Sequence, residues 1–371
     1  DKPMLQAIGN EELQKEYRNT LKPFYGVLKT MDGYIKLGFL TGVTKFGKVS
    51  VFSDLNNLKD ISMRRDYIDI CGITDKELHR YFDKDLHTLA DVQGLDYETV
   101  CLEVQKRYDG YHFNFNTPGI YNPFSLLNTF DAMAFGSYWF ATGTPSYLVY
   151  LLKKHHYRLE EIEKVEVTED VLDSIDSEGT NPIPVIYQSG YLTIKDYDPE
   201  FGLYMLDYPN REVEEGFVKY LMPFYIDKSE AEAPFEIRRF VGEVRNGNID
   251  GFFHRLQSFF ADAPYEVIVG QDPVRNVELF FQNVLFIVFR LAGFYTQVEY
   301  HTSRGRIDLV LKTDKFIYVM EFKQGATAEE ALAQINEKGY ADAFASDSRT
   351  LYKIGVSFSD EQRNIERWLV E

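Results

Sequence analysis

The stretch Arg304-Gly305-Arg306-Ile307-Asp308-Leu309-Val310-Leu311, followed after the turn Thr313-Asp314-Lys315 by Phe316-Ile317-Tyr318-Val319-Met320-Glu321-Phe322-Lys323, decides how this chain is read. β-Branched and aromatic residues dominate both halves, which predicts two strands. Strand residues alternate between faces, so Ile307, Leu309 and Leu311 share one face and Asp308 lies on the other with Arg306 and Val310. In the second strand Lys323 returns to the face of Glu321 and Val319, and apolar residues on both sides predict burial. A bare carboxylate is costly there or shifts its pKa, so two of them need a cation or a proton between them. An acid on one strand and an acid-x-lysine on its neighbour make a candidate hard-cation site with an ammonium beside it, which suits phosphodiester hydrolysis. The competing reading of Asp308, Glu321 and Lys323 is an ordinary salt bridge between strands.

Asp308, the thirteen-residue step to Glu321, and Glu321-x-Lys323 together resemble the PD-(D/E)XK nuclease superfamily. Upstream, Glu278 lies in an apolar helical run ending at Gly293, where that superfamily often carries a helix-borne acid. Downstream, Gln334 and Tyr340 are expected on the following helix, as in the RecB-like branch. The resemblance implies Mg²⁺ or Mn²⁺ as cofactor, with Asp308 and Glu321 as ligands and Glu278 as a further ligand, directly or through water. Lys323 is then the cation that orients the nucleophile or stabilises the transition state. Gln334 and Tyr340 are six residues apart, about 600° around an α-helix. They do not share a face, so Gln334 is expected to brace the site and Tyr340 the substrate edge. His301 is near enough to shuttle protons, although Thr302-Ser303 behind it favour a solvated loop histidine.

The 371 residues suffice for two or three domains with real cores, and 44% hydrophobic and 15% aromatic content excludes a disordered chain. Two cysteines, Cys71 and Cys101, offer no ligand spacing, and a reducing cytoplasm is the economical expectation. The apolar run Val284 to Tyr295, interrupted by Arg290, is too short for a bilayer, which needs about 20 residues. A net charge of -18 argues against a general nucleic-acid coat protein. The acidity is uneven: residues 271–371 carry 12 Lys and Arg against 15 Asp and Glu, leaving a net -15 for residues 1–270. The C-terminal region is therefore the part able to hold a local basic groove, and the nuclease resemblance implies nucleic acid, DNA before RNA, as its partner. No membrane partner is expected, and the oligomeric state stays open.

Near the start, Leu13, Tyr17, Leu21 and Tyr25 predict a helix over Glu11 to Thr30 that Pro23 should kink or break. Tyr34 to Gly42 reads as a buried strand. The following Gly42-Val43-Thr44-Lys45-Phe46-Gly47-Lys48-Val49-Ser50 nearly spells a phosphate loop, but Val49 occupies the magnesium-binding Ser/Thr position and no acidic strand follows. Asp1-Lys2-Pro3, Phe39-Leu40-Thr41-Gly42-Val43-Thr44-Lys45-Phe46, Leu55-Asn56-Asn57-Leu58 and Ile70-Cys71-Gly72-Ile73-Thr74 resemble the AAA-ATPase-like domain fused ahead of PD-(D/E)XK nucleases in bacterial proteins. The resemblance implies that the Walker A loop lies upstream of Asp1. A chain starting at Asp1 reads as a fragment, and ATP is expected as a ligand only together with that upstream part.

Further on, Thr74-x-x-Glu77 is a capping box with Leu78, Tyr81, Phe82 and Leu86 as the apolar face, and Asp96 to Tyr108 is a second helix. Helices are also expected from Ser125 and, capped by Thr144 with Pro145 in the first turn, through Leu152. Ile183 to Gln188 and Tyr191 to Tyr197 read as paired elements around Ser189-Gly190, with a strand from Leu203 to Tyr208 and a helix from Asn210 to Phe224. Helices followed by a small hairpin suggest a winged-helix-like module, a DNA reader or a packing domain, and its acidic surroundings favour packing. Lys228 to Pro234 is expected to be a linker.

The fold class expected is multidomain α/β: a partial AAA-like core (1–72), a helical and winged-helix-like lid region (73–234), and a restriction-endonuclease-like PD-(D/E)XK domain with leading helices (235–371). Strands are expected at Val298 to Tyr300, Ile307 to Leu311, Ile317 to Glu321 and Leu351 to Phe358, in one sheet. A helix over Ala328 to Phe344 should cross between the last two and make them parallel. The function implied is a Mg²⁺- or Mn²⁺-dependent nuclease coupled to an NTPase module. The alternative is a nucleotide-regulated nucleic-acid-binding or remodelling protein whose nuclease fold is not catalytic.

Overall fold

The computed structural model describes residue 7 and residues 10–42, 57–141, 146–173, 181–225, 232–261, 273–293, 297–303, 306–359 and 361–371. The side chains of Glu278, His301, Arg306 and Asp308 lie outside that description, as do the near-phosphate loop from Val43 onward and the pair Thr144-Pro145. The chain divides into two compact units, residues 1–157 with 161–216, and 158–160 with 217–371.

The first unit opens with helix α1, Glu11–Thr30, whose first turn is capped by the Asn10 side chain accepting from the Leu13 amide at 3.1 Å. The helix runs on through Pro23 instead of breaking there. The missing amide leaves the Asn19 carbonyl on an exposed stretch, where water can satisfy it. The expected strand from Ile35 to Leu40 does not form: Tyr34 is 90% and Leu37 85% exposed. A strand needs a neighbour for its backbone groups, and among the described residues none pairs with this run.

Helices α2 (Asp75–Tyr81), α3 (Asp83–Gln93), α4 (Tyr97–Tyr108) and α5 (Pro123–Ala132) then enclose a core of Leu78, Leu86, Leu89, Val104, Leu126 and Phe130. The Thr74–Glu77 capping box forms as expected, whereas Tyr81 points to solvent at 61% exposure. Helix α6 (Ser146–Lys154), strand β1 (Val165–Thr168), helices α7 (Glu169–Asp173) and α8 (Ile183–Gln188), and strands β2 (Thr193–Asp198) and β3 (Leu203–Asp207) follow. The strands form an antiparallel sheet in the order β1-β3-β2, so helix and strand order is winged-helix-like. Ile183 to Gln188 is a helix and not one arm of a hairpin, with Pro184 in its first turn, where a proline costs nothing. The hairpin is instead β2 with β3. Helix α9, Arg211–Tyr225, begins where the Asn210 side chain accepts from Val213 at 3.1 Å, and it runs across the division between the units.

The second unit has helices α10 (Ala233–Asn246), α11 (Ile249–Ala261) and α12 (Pro273–Gly293), then strands β4 (Gln297–Ser303), β5 (Arg306–Lys312) and β6 (Phe316–Gln324), helix α13 (Ala328–Lys338), and strands β7 (Thr350–Ser359) and β8 (Asn364–Val370). Ala233 and Pro234, expected in a linker, already belong to α10 because proline suits a first helical turn. The five strands form one sheet in the order β4-β5-β6-β7-β8. All neighbours are antiparallel except β6 and β7, which are parallel because α13 carries the chain back between them. Helix α13 stops at Lys338, six residues short of the expected Phe344, where Gly339 takes a left-handed conformation (φ 64°) and caps it.

One face of the sheet packs on α10, α11 and α12. Phe253 and Phe289 lie 6.3 and 6.2 Å from Phe322, Phe281 stacks on Phe358 at 4.2 Å, and the Tyr318 hydroxyl donates to the Val244 carbonyl at 2.6 Å. The other face packs on α13 and the turn behind it, with Ile317 and Val319 against Ile335, Leu332, Ala341 and Tyr340. Among the described residues no helix is long and apolar enough to cross a membrane.

Candidate active site

Register builds the site. In the β5–β6 pairing Asp308 stands directly opposite Glu321, and Arg306 directly opposite Lys323. Positions opposed across an antiparallel pair share a face of the sheet, so the two acids occupy one register position and the two bases another. On the outer side His301 stands opposite Asp308, in strand β4 and not in the expected loop. On the inner side Glu321 pairs with Gly355 and Lys323 with Ser357.

Glu321 is completely buried, while Lys323 is half-buried. The alternation of β6 points Phe322 to the α10–α12 side, so Glu321 belongs to the face covered by α13. Gly355 explains how that helix comes so close. A Cβ at this position would overlap the Ala328 carbonyl and the Leu332 amide, so the first turn of α13 rests on the strand beside Glu321 only because residue 355 lacks a side chain. The signal for this contact in the sequence is Gly355 itself, since a glycine inside an apolar strand marks close backbone approach.

The start of α13 is closed by its own capping box: the Thr327 amide donates to Glu330 Oε2 at 2.8 Å, and the Glu330 amide donates to Thr327 Oγ1 at 3.2 Å. These bonds, the backbone one first, hold the Glu330 carboxyl below its usual range, and the nearby charge of Lys323 adds to the effect. Lys323 thus lies within electrostatic range of the first turn of α13, on the strand face it shares with Glu321.

The remaining expected residues are less closely gathered. Gln334 is on α13, half-buried beside Ile335, and no described contact joins it to Glu321 or Lys323. Tyr340 is past the helix end and packs in the apolar cluster with Ile317 and Val319, which corrects its placement on the helix. Glu278 is on α12, whose Phe281 and Phe289 pack on the face opposite to Glu321.

The donor chemistry fits a divalent cation. A fully buried carboxylate paired in register with a second acid forms a hard-oxygen set that a doubly charged ion neutralises, and the lysine two residues on leaves a positive charge at its rim.

Residues 276–368 match the family model of the PD-(D/E)XK nuclease superfamily, and residues 1–52 match a model described as a predicted AAA-ATPase. The chain is 33% identical over 380 aligned positions to a protein of Azotobacter chroococcum mcd 1 described as "Uncharacterized protein in vnfD 5'region". The alignment covers 100% of this chain and 70% of that relative. No solved structure matches. The chain belongs to the family of proteins in which an AAA-ATPase-like region precedes a PD-(D/E)XK nuclease superfamily domain.

Proposed function

We propose that the second unit is a divalent-metal-dependent nuclease that hydrolyses phosphodiester bonds of DNA, with RNA as the alternative substrate, and that the whole protein couples this to its AAA-like module. The observation that carries the reading is the placement of Asp308 opposite Glu321. Two acids in register are a position where a bound divalent cation would be favoured.

Asp308 and Glu321, with the main-chain carbonyl of Phe322, are the proposed holders of one Mg²⁺ or Mn²⁺; Glu278, expected as a further ligand, stands on the helix that packs the other face of the sheet and is left out of this set. Such an ion lowers the pKa of a coordinated water and neutralises charge on the scissile phosphate. Lys323 orients the attacking water or donates to the phosphoryl oxygens as charge develops on them. Complete burial keeps bulk water from the Glu321 side chain, and the first turn of α13 rests on the strand beside it. Gln334 braces the first layer of ligands from that helix.

Differential scanning fluorimetry of the chain with and without Mg²⁺ or Mn²⁺ tests the reading. The melting temperature should rise with ion concentration by mass action. Asp308→Ala and Glu321→Ala should each abolish that rise and all cleavage while the apo fold persists or gains stability. If metal does nothing and the Asp308, Glu321 and Lys323 substitutions all merely destabilise, with no cleavage of single- or double-stranded DNA or RNA under Mn²⁺, the nuclease reading is wrong.

A further inference from the structure

The β5–β6 register places charges in a way that the two acids do not account for. One step along the strands from the Asp308–Glu321 pair, Arg306 stands opposite Lys323. The row continues on both sides into hydroxyl-bearing positions, Ser303 in β4 and Ser357 in β7. Two parallel rows therefore run across the sheet: His301, Asp308, Glu321 and Gly355 in one, and Ser303, Arg306, Lys323 and Ser357 in the next.

Like charges directly opposed across strands destabilise a sheet, while opposite charges stabilise it. Exchanging Asp308 and Arg306 within β5 would set an arginine opposite Glu321 and an aspartate opposite Lys323, curing both unfavourable pairs without changing composition. The chain instead gathers its acids in one row and its bases in the next. A cation relieves the first row, and an anion relieves the second. A phosphodiester backbone beside a bound divalent ion meets both demands.

We propose that Arg306 is a positioning residue for this reaction: with Lys323 it forms an anion cradle, Lys323 taking the scissile phosphate and Arg306 the phosphate that flanks it in the same strand. The assignment rests on the nuclease reading above. Lys323 shares a strand with Glu321 and so lies next to the reacting phosphate. Arg306 is one strand further out, and its longer, forked side chain suits a second phosphate, which it can hold by two parallel hydrogen bonds. The substrate strand then runs across the β-strands, over β6 toward β5.

Steady-state cleavage of a labelled oligonucleotide under Mn²⁺, at increasing KCl, tests this on the 371-residue chain. Arg306→Gln should raise KM with little change in kcat, because a flanking contact is made equally in the ground and transition states. The slope of log kcat/KM against log salt should become shallower by about one unit, the signature of one lost phosphate contact. Arg306→Lys should keep the parent slope. Arg306→Glu guards against a variant that merely fails to fold: it sets an acid opposite Lys323, so its melting temperature should rise while its KM rises further. A parent-like KM and slope in Arg306→Gln, a fall in kcat alone, or a lower melting temperature in Arg306→Glu overturns the role of Arg306 while cleavage by the parent leaves the nuclease reading standing. Absence of both cleavage and a metal-induced thermal shift in the parent overturns the nuclease reading, and this inference with it.

Discussion

Among the described residues each unit buries one glutamate almost completely, Glu212 in the first (3% exposed) and Glu321 in the second (0%), and their surroundings differ in kind. Glu212 sits in the first turn of α9, where its Oε1 accepts from the amides of Tyr138 at 2.6 Å and Trp139 at 3.1 Å. Burial pushes its carboxyl above the usual range, opposed by the Ser125 hydroxyl and by those two amides. Glu321 lies in the middle of a sheet, in register with another acid on one side and with a glycine under a helix on the other. A carboxylate that accepts from two backbone amides through one oxygen ties a loop to a helix. One in register with a second acid is where the proposed cation would bind. Burial alone therefore does not single out Glu321 over Glu212; the register position opposite it is what separates the two.

The strongest way to break this contrast is to truncate both. Glu321→Ala should eliminate cleavage and the Mn²⁺-induced thermal shift with a fold that still melts cooperatively, whereas Glu212→Ala should leave the thermal shift in place. Detecting full Mn²⁺ stabilisation in Glu321→Ala would make the two acids equivalent and the contrast empty.

Lys323→Ala comes next in size. It should lower cleavage roughly 10²- to 10³-fold, the usual loss for one transition-state contact, while keeping or tightening metal binding because a neighbouring positive charge is gone. Metal titration followed by calorimetry checks the second half, and weaker binding in this variant would place Lys323 among the groups that hold the ion.

On stability, Glu212→Ala should cost about 1–3 kcal/mol, since the amides of Tyr138 and Trp139 lose their shared acceptor inside the unit. Gly355→Ala should cost a similar amount, about 1–3 kcal/mol, by pushing α13 off the strand, and should depress cleavage as well because the helix closes the site. Urea unfolding measures both. A neutral Gly355→Ala would mean that the contact under α13 yields without consequence.

The smallest effect is one of pH. Glu212 has a folded-state pKa above its unfolded value near 4.5, so the folded protein holds its proton longer than the unfolded one. The stability this brings is fully present below the unfolded pKa and is lost as pH rises through the raised folded pKa. Glu212→Gln removes the titration, so the difference in stability between variant and parent should shift in the variant's favour as pH climbs from about 4.5 through that window. A difference that stays flat across the window would show that burial does not disfavour the ionised carboxyl.

Much of the second unit was legible as pattern. The runs at Val298, Ile307, Ile317 and Leu351 are strands β4 to β7, and the helix between the last two makes them parallel as a crossover must. Strand β8 has no clear alternation in the sequence because Asn364 to Val370 mixes charges with apolar residues at an edge. A register shift opposite Ser357 and Phe358 also breaks its alternation, leaving Ile365 buried and Trp368 stacked on Phe253. The first unit was harder. Ile183 to Gln188 is a short apolar run that suits a buried helix as well as a strand. Ile35 to Leu40 has the composition of a strand, yet no described strand receives it.

Sequence by itself determined which residues alternate with which: the apolar faces of β5 and β6, the acid inside each, and the lysine two places beyond Glu321 follow from a period of two that any strand obeys. It also determined the family, through motifs at both ends of the chain. Only the tertiary structure decided what stands opposite what. Sliding β5 by one residue against β6 would turn Asp308 to the other face and leave every local preference unchanged, so register is set by the packing of both faces and the tightness of the turn, not by the strand's own residues. That packing put Asp308 against Glu321, Arg306 against Lys323, and a helix over Gly355.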